Sequence, residues 1–379
     1  MVFPGVGRLS LHVPQALVPF GLAVCAILLT LFGWALLGPS NAGNDVVLNG
    51  PDISSIRSIA YTLPGDHFDD IVVQPASGAT APRVIATFPS GGPTGFHTRG
   101  SASPLGDQLA VLWIPAFATT ANLALVDLPS GRVRPVEGSF DSLSALAWAP
   151  DGTRIAATKT SEADGVKTIA VLEIEVATLQ SRPLAAFENV IEVVPVGYSF
   201  DSSRLFTVVV DAKGSNLYVE RAGKTELAAE LSPGRTRDWA LSPDGARLAY
   251  VDVLSGGSRT YVGRTLVIAT GAITTLPAEK NQLGANWMPG SPIPAFGGPG
   301  GAWKLTDPAA ESAYLVPEDW SPDGAYLVAT VYSAAGDKTS RPTTALELIS
   351  RQTTTTESTR LRISEATGAA FLGWVRDLN

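Results

Sequence analysis

The sequence is poor in the side chains that most often carry catalysis or metal binding. Its 379 residues include one cysteine, Cys25, and three histidines, the last of which is His97. A single cysteine excludes an intrachain disulfide and a metal site built from several thiolates. The G-x-S-x-G motif of α/β-hydrolases is also absent, and no histidine follows His97 to act as the base of a triad. These absences argue against serine hydrolase chemistry.

Charge is also scarce, and what there is has an acidic balance. Charged residues make up 16% of the chain, with 35 acidic against 27 basic side chains and a formal net charge of −8. Nucleic-acid binding depends largely on neutralising phosphates with clustered basic side chains. The sequence shows no such cluster, so nucleic acid is not an expected partner.

One long apolar run is present, and it covers residues 16–37 without a charge. As a helix it would span about 33 Å, enough to cross a hydrocarbon core of about 30 Å. Arg8 precedes the run and Asp45 follows it, so the positive-inside rule places the N-terminus in the cytoplasm. We predict a single-pass signal anchor in the cytoplasmic membrane, with the remainder of the chain on the extracytoplasmic side.

Two alternatives for this segment remain open. Ser40 and Ala42 are small residues that suit cleavage near Ala42 and secretion, and Cys25 would be the lipidated residue of a lipoprotein signal. The run is longer than the roughly 7–15 apolar residues of a cleaved signal, and Val24 is a poor neighbour for a lipidated cysteine. The retained anchor is therefore preferred. The expected organisation is a short cytoplasmic N-terminus at 1–15, the transmembrane helix at 16–37, a linker at 38–52 and one domain at 53–379.

A five-residue phrase recurs along this domain. It reads Trp148-Ala-Pro-Asp-Gly152, Leu241-Ser-Pro-Asp-Gly245 and Trp320-Ser-Pro-Asp-Gly324, with weaker copies between. Repeats of this kind are typical of propeller blades. Pro, Asp and Gly suit successive positions of a type I turn between two strands. The residues predicted to form structural turns are Pro150, Asp151, Gly152, Pro243, Asp244, Gly245, Pro322, Asp323 and Gly324.

The units between the turns predict an all-β fold, a single propeller of four-stranded blades preceded by one transmembrane helix. In the clearest unit the strands are expected at 143–148, 153–158, 168–173 and 181–187. Seven blades are preferred, with six as the alternative because segment 283–315 is short and degenerate. The motif Phe371-Leu-Gly-Trp374 resembles the first strand of a blade. We expect it to complete the blade begun at 56–62, which would close the ring without exposed edges.

The phrase Trp/Leu-Ala/Ser-Pro-Asp-Gly, followed by Ile/Leu-Ala, resembles the WD40-like repeat of TolB-type propellers over roughly residues 55–379. The resemblance implies the propeller fold. Propellers of this type serve as periplasmic interaction modules and as substrate-gating domains of prolyl-oligopeptidase-like peptidases. The resemblance therefore points to several functions and assigns no catalytic residue.

One local cluster has the side chains for metal binding, since imidazole and carboxylate groups suit Zn²⁺. Its members are His67, Asp69, Asp70 and His97. Their spacing matches no known ligand pattern, and a polar loop before a strand is the preferred interpretation. The tryptophans at the start of the repeat phrase are expected to pack between blades rather than to form a platform for sugars; they are Trp148, Trp287, Trp320 and Trp374. No catalytic residue and no cofactor is predicted.

The combined features predict a membrane-tethered, non-catalytic recognition module. It would bind a protein, a peptide or a cell-wall component through one face or through the central channel. Two alternatives remain: a subunit of a larger membrane complex, and an enzyme acting on cell-envelope glycans or peptides through the channel. Unpaired carboxylates facing the channel would favour the enzyme.

Overall fold

The computed structural model describes residues 55–378 except 79, 91–96, 116–117, 255–259, 278–280, 299–313, 334–342, 351–359 and 365–367. The described residues form 26 β-strands and no α-helix. Six sheets of four antiparallel strands follow one another along the chain, with one two-stranded sheet among them. The predicted all-β propeller of four-stranded blades is confirmed.

The first three blades are built as follows. Blade 1 contains β1 (Ile56–Leu63), β2 (Phe68–Pro75), β3 (Arg83–Pro89) and, as its innermost strand, β26 (Phe371–Arg376). Blade 2 contains β4 (Arg99–Ala102), β5 (Gln108–Trp113), β6 (Ala121–Asp127) and β7 (Val133–Phe140). Blade 3 contains β8 (Ala147–Trp148), β9 (Arg154–Ala163), β10 (Val166–Glu175) and β11 (Ser181–Glu188).

The remaining sheets continue the same order. Blade 4 contains β12 (Glu192–Tyr198), β13 (Leu205–Asp211), β14 (Gly214–Arg221) and β15 (Lys224–Ser232). Blade 5 contains β16 (Arg235–Leu241), β17 (Arg247–Leu254), β18 (Thr260–Val267) and β19 (Ala272–Thr275). The two-stranded sheet is β20 (Leu283–Asn286) with β21 (Ala295–Gly297), and blade 6 contains β22 (Tyr314–Trp320), β23 (Tyr326–Ser333), β24 (Thr343–Ser350) and β25 (Arg360–Ser364).

The two-stranded sheet lies where a seventh blade was expected. Within the described residues, segment 283–315 supplies β20, β21 and the start of β22, and residues 299–313 of that segment are outside the description. Trp287, just after β20, packs against Ala249 and Val251 of β17. The described residues thus form six four-stranded blades and this two-stranded sheet, rather than the preferred seven four-stranded blades.

Blade 1 joins the two ends of the domain. β26 pairs antiparallel with β1, with Ile59 opposite Trp374 and Ala60 opposite Gly373. This pairing confirms the prediction that the C-terminal motif completes the first blade. It removes the free edge that β1 would otherwise present to solvent.

The repeated phrases form tight turns between the first and second strands of their blades. Gly152 N–H donates to the carbonyl of Ala149 at 2.8 Å, and Gly152 has φ +71°, a conformation that glycine adopts without steric cost. Gly245 and Gly324 make the equivalent 2.8 Å bonds to Ser242 and Ser321. The Ser242 hydroxyl and the Ala246 N–H hold the pKa of Asp244 below its ordinary value. The aspartates thus stabilise the turns themselves.

The recurring tryptophans are buried where successive sheets meet. Trp148 packs in a cluster that contains β5 and β6 of the preceding blade, and its Nε1–H donates to the Ser101 carbonyl at 3.0 Å. Trp287 Nε1–H makes the same kind of bond to the Ala240 carbonyl at 2.9 Å. All four tryptophans are between 3% and 8% exposed, which fits packing between blades.

The strand expected at 143–148 is shorter than predicted, because only Ala147–Trp148 pairs with β9. Side chains of the preceding loop replace the missing ladder bonds. Ser144 Oγ accepts from Thr158 N–H at 2.8 Å, and Asp141 Oδ1 accepts from Thr160 N–H at 2.9 Å. The backbone of β9 is therefore satisfied without a longer β8.

The predicted membrane helix at 16–37, the linker and the cleavage alternatives near Cys25 and Ala42 lie outside the described residues. Within the part of the chain that is described, there is no helix whose length and apolarity would let it span a bilayer.

Candidate functional site

The two faces of the propeller differ in what they carry. The turn face holds the connections between first and second strands, such as 103–107 and 149–153. The crossover face holds the connections from one blade to the next, such as 141–146 and 189–191, together with the β1–β2 loop. A cavity of about 750 Å³ lies among the innermost strands on the crossover side, and we call it the central cavity.

The central cavity is lined by blades 6, 1, 2 and 3. Its polar lining comprises His97, Thr98, Arg99, Ser101, Ser144, Glu318, Thr330 and Tyr332, and its apolar lining includes Leu112, Leu143, Leu146 and Phe371. Its volume lies within the range of about 300–1,000 Å³ that is usual for small-ligand sites. Both charge signs and several hydroxyl groups therefore meet in one ligand-sized space.

A buried carboxylate holds His97 on the wall of this cavity. Asp69, on β2, is 0% exposed, and its Oδ2 accepts a 2.6 Å hydrogen bond from Thr98 N–H. Its Oδ1 lies 3.1 Å from His97 Nδ1 and also accepts from Gly65 N–H at 3.3 Å. Since a carboxylate only accepts, Nδ1 carries the proton and Nε2 is left for another partner. The pair thus orients one imidazole nitrogen for chemistry or binding.

The structure brings together only two of the four predicted metal-site candidates. Asp70 is the next residue of β2 and accepts a 2.6 Å bond from the Thr87 hydroxyl. His67 is exposed in the β1–β2 loop, where its carbonyl accepts from Ser90 N–H. No group of three His, Cys, Asp or Glu residues in the described ranges is placed to hold a metal ion. The polar-loop interpretation describes His67 well, whereas Asp69 and His97 form a defined pair.

Glu318 supplies a carboxylate from blade 6 to the same cavity. Its Oε1 accepts a 2.6 Å hydrogen bond from the Thr330 hydroxyl. The side chain reaches solvent but is enclosed by the channel walls, and this burial among protein atoms raises its pKa. The Thr330 hydrogen bond lowers the pKa, and the negative charge of Asp238 adds to the rise. Glu318 is therefore a carboxyl group whose ionised form has no compensating cation among the described residues.

A strained aspartate lies next to this region, on β16. Asp238 has φ +53° at a bulge of the β16–β17 ladder, a conformation that costs a non-glycine residue of order 1 kcal/mol. Its Oδ2 accepts from Gly284 N–H at 2.8 Å, and its Oδ1 accepts from Arg237 Nε–H at 2.9 Å. These bonds link blade 5 to β20 and give Asp238 a structural partner for its charge.

Asp319, the neighbour of Glu318, is a second perturbed carboxyl group. Burial raises its pKa to about 7, and the charge of Glu318 contributes in the same direction. The Trp320 N–H, which donates to Asp319 Oδ1 at 2.9 Å, opposes this shift. Asp319 therefore changes charge near neutral pH.

A smaller cavity of about 410 Å³ lies on the same face, at blades 3 and 4. It shares Leu143 and Ser144 with the central cavity. Leu143 is 64% exposed, so it presents an apolar surface to both cavities. The two cavities meet at this side chain, so the crossover face offers one continuous concave surface.

Neither the family models nor the curated proteins match this chain. Among solved structures, it is similar to TolB from Acinetobacter baumannii, with a TM-score of 0.50 and 16% identity over 84% of this chain and 67% of that one. It is also similar to an acylaminoacyl peptidase in complex with Z-Gly-Gly-Phe-chloromethyl ketone, with a TM-score of 0.50 and 11% identity over 82% of this chain and 51% of that one. Such low identities show the fold alone. The domain therefore has the β-propeller fold that it shares with these structures.

Proposed function

We propose that the chain is a membrane-tethered, extracytoplasmic propeller that recognises a protein or ligand without catalysing a reaction. The observation that carries the proposal is the central cavity, which combines ligand-sized volume with charged and hydroxyl groups on several blades. The tether is the apolar segment 16–37. The absence of a hydrolase motif in the sequence supports recognition over catalysis.

The path of the chain favours the crossover face as the binding face. Arg376 N–H donates to the Gly106 carbonyl of a turn-face loop, and Asp377 N–H donates to the Ser55 carbonyl. Both ends of the described chain therefore lie on the turn face. The central cavity lies on the opposite face, away from these two ends of the described residues.

The test is partner capture with full-length protein solubilised from native membranes, followed by mass spectrometry. Leu143→Asp places a charge between the two cavities of the crossover face. Ile293→Asp is the matched control, because Ile293 is 63% exposed, nearly the same as Leu143, but lies in a turn-face loop. We expect a partner that wild type and Ile293→Asp retain and Leu143→Asp loses. Equal retention by both variants would contradict binding at the crossover face.

The His97–Asp69 pair favours a second candidate, an enzyme acting on cell-envelope glycans or peptides through the channel. An imidazole oriented by a carboxylate is a standard general base, and Glu318 on the same cavity would serve as an acid. This candidate predicts product formation from envelope fragments that His97→Gln abolishes. Turnover that is unchanged in His97→Gln would eliminate it.

A further inference from the structure

The central cavity has a basic wall on blade 2. Arg99, on β4, lines the cavity and makes no ion pair with any residue in the described ranges. His97 lies two residues before it, with Nδ1 directed to Asp69 and Nε2 without a hydrogen-bond partner among the described residues. An arginine fork and an imidazole nitrogen together form a good receptor for a carboxylate.

The opposite charge is on blade 6, in the lining of the same cavity. Glu318 uses Oε1 for the Thr330 hydroxyl, and the described residues offer no cation near it. Asp238 differs, because Arg237 and Gly284 already satisfy its oxygens. Glu318 is thus the carboxylate on this cavity that has capacity for an incoming ammonium group.

A buried hydroxyl in the lining also lacks a partner. Thr98 lines the central cavity and is 2% exposed, and its Oγ1 makes no hydrogen bond within the described structure. Buried polar groups are normally paired, so this hydroxyl has hydrogen-bonding capacity left for a ligand or a water molecule. Thr98 lies directly between His97 and Arg99, on the basic wall.

We propose that the central cavity binds a zwitterionic ligand the size of a short peptide, its carboxylate held by Arg99 and His97 and its ammonium group by Glu318. This proposal rests on the recognition function above and names the chemistry of the ligand. A ligand with a single charge would leave one wall of the cavity uncompensated, at the cost of removing that group from water. A ligand carrying both charges pairs with each wall at once.

The experiment is isothermal titration calorimetry of the full-length chain in detergent micelles. The probe is trialanine, and the matched ligands are N-acetyl-trialanine, which lacks the ammonium group, and trialanine amide, which lacks the carboxylate. Arg99→Gln and Glu318→Gln remove one wall charge each. Arg132→Gln in a turn-face loop and Glu226→Gln on the outer strand β15 are the control variants.

We expect trialanine to bind, and each blocked peptide to bind about tenfold or more weakly, since hydrogen bonds to charged groups are the stronger ones. Arg99→Gln should weaken the binding of trialanine and leave that of trialanine amide unchanged. Glu318→Gln should weaken the binding of trialanine and leave that of N-acetyl-trialanine unchanged. Neither control variant should change these affinities.

Two results would overturn the proposal: no binding of trialanine to the wild type, or equal binding of free and blocked peptides. The first result together with partner capture that depends on Leu143 would leave recognition standing and reject the zwitterion. If trialanine does not bind and partner capture does not depend on Leu143, the proposed function is rejected as well. Circular dichroism is used to check that each variant is folded before it is titrated.

Discussion

The hydroxyl of Ser58 donates a 2.6 Å hydrogen bond to Asp377 Oδ1, across a sequence separation of 319 residues. Ser58 lies on β1 and is 1% exposed, whereas Asp377 directly follows β26. The bond fastens the inner strand of blade 1 to the strand that follows it in the sheet. Ring closure therefore depends on a polar contact as well as on the ladder between these strands.

Ser58→Ala is expected to lower the free energy of unfolding by about 1–2 kcal/mol, because it removes a hydrogen bond to a carboxylate. Urea unfolding followed by tryptophan fluorescence measures this change. Ser130→Ala is the control, since Ser130 also donates to an aspartate, Asp127, but in an exposed turn. Equal losses in the two variants would show that closure gains nothing from the Ser58 bond.

Trp148→Phe is expected to destabilise the domain more than Trp374→Phe, by about 1–3 kcal/mol. Both changes remove part of a buried ring, but Trp148→Phe also leaves the Ser101 carbonyl without its donor. Trp374 Nε1 has no hydrogen-bond partner within the described structure, so its replacement sacrifices packing alone. Thermal or urea unfolding of the two variants gives the difference, and a larger loss for Trp374→Phe would refute the argument.

Stability is expected to fall as pH rises from about 4 to about 7. The pKa of Asp319 is about 7 in the folded protein against an ordinary value of 3.8, so the folded state holds a proton that the unfolded state has released. The slope from one such group is at most about 1.4 kcal/mol per pH unit. Asp319→Asn should flatten this part of the profile, measured by urea unfolding at several pH values. A parallel profile for wild type and variant would count against the shift.

Gly152→Ala is expected to be more destabilising than Gly165→Ala. Both glycines have positive φ, +71° and +75°, so alanine costs about 1 kcal/mol at either site. A Cβ at Gly152 would also lie 3.0 Å from Leu105 of the neighbouring blade, whereas one at Gly165 meets nothing within 4 Å. Comparing the two unfolding midpoints isolates the contact between blades, and equal shifts would mean that Leu105 moves aside freely.

Much of the fold could be predicted because the repeat phrase encodes a local structure. Pro150, Asp151 and Gly152 each meet a turn requirement that depends on near neighbours alone. The closing role of Trp374 was predictable for the same reason, since its motif repeats the strand that precedes each turn. Strand lengths were less predictable. β8 is short because the side chains of Asp141 and Ser144 accept hydrogen bonds from the backbone of β9. The spacing of these two residues in the sequence does not predict those bonds.

The central strands also depart from a simple alternation of buried and exposed residues. Residues 205–210 of β13 are all buried, because each sheet packs against a blade on both faces. The outer strand β11 keeps mainly exposed or half-buried positions. The sequence pattern distinguishes a central strand from an outer strand only when the packing of the blades is known.

The candidate site was largely missed because its residues belong to no motif. Arg99 and Glu318 come from distant parts of the chain, and only ring closure places them on one cavity. One signal was present. Arg99, Asp238 and Glu318 each lie four or five residues before the Pro of a turn, on the innermost strand of a sheet. Charged residues at that offset are the ones to inspect in a repeat of this type.

The position of β26 also sets the order of events when the protein is made. Synthesis proceeds from the N-terminus, so β1, β2 and β3 emerge long before the strand that completes their sheet. Blade 1 lacks its inner strand until Arg376 has left the ribosome. The ring therefore cannot close until this last strand has emerged, and closure of the central cavity becomes a late step of folding.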